Sequence, residues 1–116
     1  MKIASLNSFP KSKAEMAGAE RIFRQTPISR ADGSPHFSFR VFTLEPRGHS
    51  PYHRHSFEHI NYCIEGEGAV VDEAGAEHPF RKGDFALILP EEKHQYRNKS
   101  LDGPLIFICA VPKEYE

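Results

Sequence analysis

The sequence is poor in cysteine: two thiols, Cys63 and Cys109, in 116 residues. Two cysteines do not build the disulfide framework of a small secreted domain, and a cytosolic chain keeps them reduced. An excess of one charge is also missing, since 15 Lys and Arg stand against 16 Asp and Glu for a formal net charge of −1. That balance lacks the clustered basic excess of a nucleic-acid binder. The longest apolar runs, Phe85–Leu89 and Leu105–Val111, fall far short of the ~20 residues of a membrane-spanning helix. Met1 to Pro10 holds no apolar stretch of a secretory signal, so a cytoplasmic protein is expected. No Ser-His-Asp order, phosphate-cradling glycine loop or Cys-x-x-Cys pair is present. Helical periodicity is scarce as well: Ser12–Glu20 gathers helix formers, but Gly18 interrupts them.

What remains is a series of short strands. Phe37–Leu44 is rich in β-branched and aromatic residues, with turns at Arg30–Pro35 before it and Glu45–Gly48 after it. Ile60–Ile64 follows. Ala69–Asp72 and Glu77–Phe80 flank a hairpin turn at Glu73–Gly75. Phe85–Leu89, His94–Asn98 and Pro104–Val111 complete the set. Turn signals every 8–12 residues are the spacing of an all-β sandwich or barrel. Residues 1–20 read as an arm or edge strand, and residues 21–116 as one domain.

Seven histidines are many for this length. His53 and His55 stand at i and i+2, which places both side chains on one face of a strand. His59 shares their parity, and His94 lies just beyond Pro90. Glycines frame both stretches: Gly48 and Gly66 the first, Gly83 the second. Four converging imidazoles suit a borderline divalent ion, Mn, Fe, Co, Ni, Cu or Zn. If His59 points inward, Asn61 and Cys63 do too, while Ile60, Tyr62 and Ile64 face away. His36, His49 and His78 read as surface residues and Asn98 as structural.

These residues resemble the cupin superfamily. Gly48-x4-His53-x-His55-x3-His59-x6-Gly66 looks like its first motif and Gly83-x10-His94-x3-Asn98 like its second. His59 replaces the usual acid, so the resemblance is to the four-histidine branch, and further to small manganese-binding cupins of thermophilic bacteria. The chain departs from the pattern in three places. Gly48 precedes His53 by four residues where five are usual. Leu89 stands where a proline is often found, and Glu91 where glycine is common. Glycine tolerates positive φ, so the turn before His94 is expected to differ in shape.

The resemblance implies a double-stranded β-helix (a jelly-roll barrel), one Mn or Fe ion on His53, His55, His59 and His94, and a homodimer paired through N-terminal strands. It implies that Phe107 and Cys109 lie near the metal. For Cys63 and Cys109 two readings stand, pocket residues or small buried hydrophobes. Asn61 is either a ligand contact or a satisfied structural amide. Arg40, with the parity of Phe42 and Leu44, either holds an anionic substrate or forms an ion pair. Glu58 is either the hydrogen-bond partner of a ligand imidazole or a solvated carboxylate. The expected function is a metal-dependent oxygenase acting on a small organic molecule. A non-catalytic binding module is the alternative, with an isomerase or lyase ranked lower for want of a general base.

Overall fold

The computed structural model describes every residue from Met1 to Glu116. Nine strands form one antiparallel sheet that curls into a nearly closed barrel. They are β1 (Ser12–Lys13), β2 (Glu20–Ile28), β3 (Phe37–His49), β4 (His59–Glu65), β5 (Glu67–Val71), β6 (Glu77–Arg81), β7 (Phe85–Ile88), β8 (Gln95–Asn98) and β9 (Leu105–Pro112). The order across the sheet is β6-β5-β8-β3-β9-β4-β7, with β2 also on β3 and β1 on β2. Helix is confined to three single turns of 3-10 type. The all-β barrel expected from the sequence is the fold observed.

Strict alternation makes the two strands that shape the interior. Along β4, His59, Asn61 and Cys63 are buried while Ile60 is exposed. Along β9, Leu105, Phe107, Cys109 and Val111 point inward in turn. These faces meet Ile22, Phe42, Leu44, Phe80 and Tyr96 in one core. The β4–β5 turn needs its glycine: Gly66 has φ +95°, and a Cβ there would lie 2.2 Å from the Pro104 carbonyl oxygen.

One expectation needs correcting, and two local features come with it. The strand from Phe37 does not end at Glu45–Gly48 but runs on to His49. Its register against β2 passes from Ile22↔Leu44 to Glu20↔His49, so the segment is a bulge, with Arg47 at φ +70°. A bulge adds unpaired residues without ending a strand. In the turn before His94, Glu91 itself adopts φ +66° and donates its backbone N–H to the His55 carbonyl at 2.7 Å. The surrounding strands impose the left-handed conformation on a residue that does not favour it. Finally, β2 carried no clear strand signal, since its inward positions include Gln25 and Pro27 interrupts it. The Gln25 amide donates to the carbonyls of Leu6 and Phe9, which ties the N-terminal arm to the barrel.

Candidate metal centre

His53 and His94 sit opposite each other on neighbouring segments. Each donates its backbone N–H to the other's carbonyl, at 3.1 and 2.9 Å. That pairing sends both rings to the same side, where His55 joins them. The ligand nitrogens of His53, His55 and His94 all lie within 4.8 Å of one another. His59 enters from β4, its Nε2 3.3 Å from Nε2 of His94 and its ring centroid 5.0 Å from that of His55. Two of the four rings, His59 and His94, are almost fully buried, at 5% and 3% exposure.

On three of the rings the other nitrogen is occupied. Nδ1 of His55 lies 2.8 Å from the Phe57 carbonyl, and Nδ1 of His94 lies 2.8 Å from the Glu92 carbonyl. Nδ1 of His59 lies 2.7 Å from Oδ1 of Asn61. A carbonyl only accepts, so each Nδ1 carries the proton and each Nε2 presents a lone pair to the cluster. Burial pulls the His59 pKa down to about 3 and the His94 pKa to about 4. His53 and His55 are lowered by the same cause. Four inward-facing imidazoles, three of them with the tautomer fixed by an acceptor at Nδ1, are a donor set that fits a borderline divalent ion. The facing Nε2 atoms of His59 and His94 have no proton to share, and a cation between them would satisfy both.

Asn61 holds this arrangement. Its Oδ1 accepts from His59 and also from the Tyr96 hydroxyl at 2.6 Å, while its Nδ2 donates to the Ile108 carbonyl at 3.4 Å. It is therefore both a pocket residue and a satisfied amide. Burial raises the Tyr96 phenol well above its ordinary pKa, so it acts as a neutral donor. Sequence reasoning passed over Tyr96, although it stands at i+2 from His94 on the same inward face.

The histidines open into a cavity of about 300 Å³. Arg40, Asn61, Phe107 and Cys109 line it. Cys63 lies deeper in the apolar core, where its thiol donates to the Glu65 carbonyl and burial raises its pKa. Glu58 is exposed; the partner expected of its carboxylate is supplied to the rings by Asn61 and two backbone carbonyls. The position between Phe57 and His59 sends it outward, because inward parity belongs to its neighbours. Also unforeseen is an aromatic stack over the site. His55 stacks on Phe57 at 3.9 Å, and Phe57 on Tyr115 at 4.2 Å, both nearly parallel. No local pattern in the sequence joins positions 57 and 115.

Known proteins resemble this chain in sequence and fold. The chain is 35% identical over 90 residues to an L-ectoine synthase of Mycolicibacterium gilvum (strain PYR-GCK), covering 76% of this chain and 66% of that protein. A cupin 2 domain-containing protein from Halorhodospira halophila is 31% identical, with a TM-score of 0.73 over 87% of this chain and 68% of its own. The polyketide cyclase RemF from Streptomyces resistomycificus superposes with a TM-score of 0.90 at 24% identity, covering 97% of this chain and 79% of that one. The cupin domain profile matches residues 40–111, the span from the strand bearing Arg40 through all four histidines to the last strand of the barrel, and on that match the chain belongs to the cupin family.

Proposed function

We propose that the chain is a mononuclear metal enzyme in which His53, His55, His59 and His94 hold one divalent transition ion, Mn or Fe before Ni, Cu, Co or Zn. The observation that carries this reading is the 3.3 Å approach of two unprotonated Nε2 atoms whose rings are fixed by acceptors at Nδ1. A bound ion would supply Lewis acidity and open coordination positions for a small organic molecule. The chain's own part is to orient and exclude. Asn61 fixes the His59 ring, neutral imidazoles leave the charge of the site uncompensated, and Phe42, Phe57 and Phe107 keep the walls apolar.

An oxygenase is the first reading, because no side chain in the cavity is poised as a general base. The Tyr96 phenol is held neutral, and Glu116 is engaged by the Ser38 hydroxyl and the Arg30 backbone. The L-ectoine synthase relative supports a second, non-oxidative reading, a synthase reaction assisted by a Lewis acid. Elemental analysis of untagged protein beside His94→Ala tests the centre: one equivalent of ion in the wild type, lost in the variant, is expected. Metal-dependent dioxygen uptake with enols, flavonols or diketones supports the first chemistry. Anaerobic turnover supports the second, and ligand-induced stabilisation without turnover leaves a binding module.

The reading places the protein in the cytoplasm, acting on a small molecule without nucleic acid or membrane as partner. It also makes the protein a homodimer. The strand fragment Ser12–Lys13 pairs with its own β2, but Phe39, Ile60, Leu87 and Phe85 stand exposed on the outer face of β3, β4 and β7. Sedimentation velocity with Ile60→Lys tests that face, with dissociation expected.

A further inference from the structure

Arg40 is a cation without a counter-ion. It projects from β3 with the inward parity of Phe42 and Leu44 and reaches the cavity of the histidines. Its Nη2 donates to the Cys109 sulfur at 3.2 Å, and the guanidinium lies over the Phe42 ring at 5.0 Å. A thiol is a weak acceptor. The Nε atom is buried with no hydrogen-bond partner. All five ion pairs of the structure are formed by other residues. The one acid in the cavity wall, Glu116, is held by Ser38 and Arg30. A half-buried charge in this state costs stability, and such groups persist where a ligand completes them.

We infer that Arg40 is the anchor for a small carboxylate, which it holds through its planar fork while the other end of the molecule faces the histidines. The wall around it is apolar on one side, from Phe42 and Phe107, and carries no free acid. Arg24 at the rim adds a second positive charge. Its cavity volume is at the low end for ligand sites, which limits the carboxylate to a small one. A guanidinium binds a carboxylate by two parallel N–H···O bonds, and an ammonium cannot reproduce that geometry. The inference rests on the proposed metal centre only for what receives the far end of the ligand.

Malonate is the probe, titrated calorimetrically into wild type, Arg40→Met and Arg40→Lys, metal-loaded and metal-stripped, with metal content measured for each. Wild type is expected to bind malonate, and Arg40→Met to bind it about ten-fold or more weakly at unchanged metal content. Arg40→Lys should recover part of the loss, and neutral dimethyl malonate should not distinguish the variants. Arg40→Met should melt no lower than wild type, because it removes a half-buried charge that has no counter-ion; a lower Tm with unchanged malonate affinity would mark a structural arginine. Equal malonate affinity in wild type and Arg40→Met overturns the inference, as does failure of the wild type to bind malonate in either metal state. If the wild type takes up no ion, the metal centre fails by itself. The metal-stripped titrations then still decide Arg40.

Discussion

The barrel interior has two ends made by the same strands. Along β4 the inward residues run His59, Asn61, Cys63; along β9 they run Cys109, Phe107, Leu105; along β3 they run Arg40, Phe42, Leu44. In each case the first residue lines the cavity and the last lies in the apolar core. Inward parity is therefore shared, and depth along the strand decides chemistry. At the deep end a side chain is surrounded by hydrocarbon and contributes by packing. At the open end polar groups are buried only because each has a partner, and the exceptions, Arg40 Nε and the facing Nε2 atoms, mark where ligands belong.

Substitutions at the two ends should therefore separate metal from stability. His94→Ala is expected to have the largest effect, loss of the ion to below about a tenth of an equivalent, by elemental analysis. The protein should stay folded, since the ring contributes little apolar packing. Leu105→Ala, at the deep end, should do the reverse. It is fully buried, so truncation should cost about 2–5 kcal/mol in denaturant unfolding, with the ion content of the folded fraction unchanged. Equal metal loss from both variants would mean that the two ends are one unit.

Asn61 lies between the ends and should show both effects at smaller size. Asn61→Ala strips the acceptor from His59 and from the Tyr96 hydroxyl. Metal affinity should fall about 10–100-fold. The buried phenol, left without a partner, should cost about 1–3 kcal/mol. Competition with a chromophoric chelator and thermal unfolding read the two separately.

The same contrast sets the pH response. Burial lowers the histidine pKa values, to about 3 for His59 and about 4 for His94, against about 6.5 in the unfolded chain. Below pH 6.5 the unfolded chain therefore binds protons that the folded one refuses. Stability of the metal-free protein is complete above pH 6.5 and should be lost as pH falls toward 4, by up to about 1.4 kcal/mol per pH unit for each such histidine. Urea midpoints at pH 7.5, 6 and 5 measure the slope, and His59→Gln should flatten it.

The inside of the barrel was legible in the sequence where alternation was regular. On β4 every second residue faces in, so Asn61 could be placed by parity with His59, while Phe107 and Cys109 on β9 were reached through the family resemblance. Parity carries no depth, which is why Cys63 was grouped with the pocket although it lies in the core. Of the two readings open for Glu58 the solvated one is observed, because adjacency to His59 in the chain points the side chain the other way. The Tyr115–Phe57–His55 stack was beyond reach, since it joins residues far apart through the curl of the sheet. The strand β2 was hidden because Gln25, facing inward, serves the arm by hydrogen bonds instead of packing as a hydrophobe.

The smallest expected effect concerns two residues that flank the open end. Arg47 lies six residues ahead of His53, with five between, and Glu91 lies in the turn before His94; both have positive φ where the cupin pattern favours glycine. The bulge and the turn thus keep a glycine-like backbone with side chains that resist it, and the neighbouring strands hold them there. Glu91→Gly relieves that conformation but frees the unfolded chain, and these oppose. Its net change should stay within about 0.5 kcal/mol. Glu91→Val has no such compensation, since a β-branched residue strongly disfavours the left-handed region. It should cost about 1–3 kcal/mol and, because the Glu91 N–H binds the His55 carbonyl, weaken metal retention as well. If Glu91→Val instead leaves both the unfolding midpoint and the metal affinity unchanged, the turn is free to relax, and the ligands at the open end do not depend on the backbone around them.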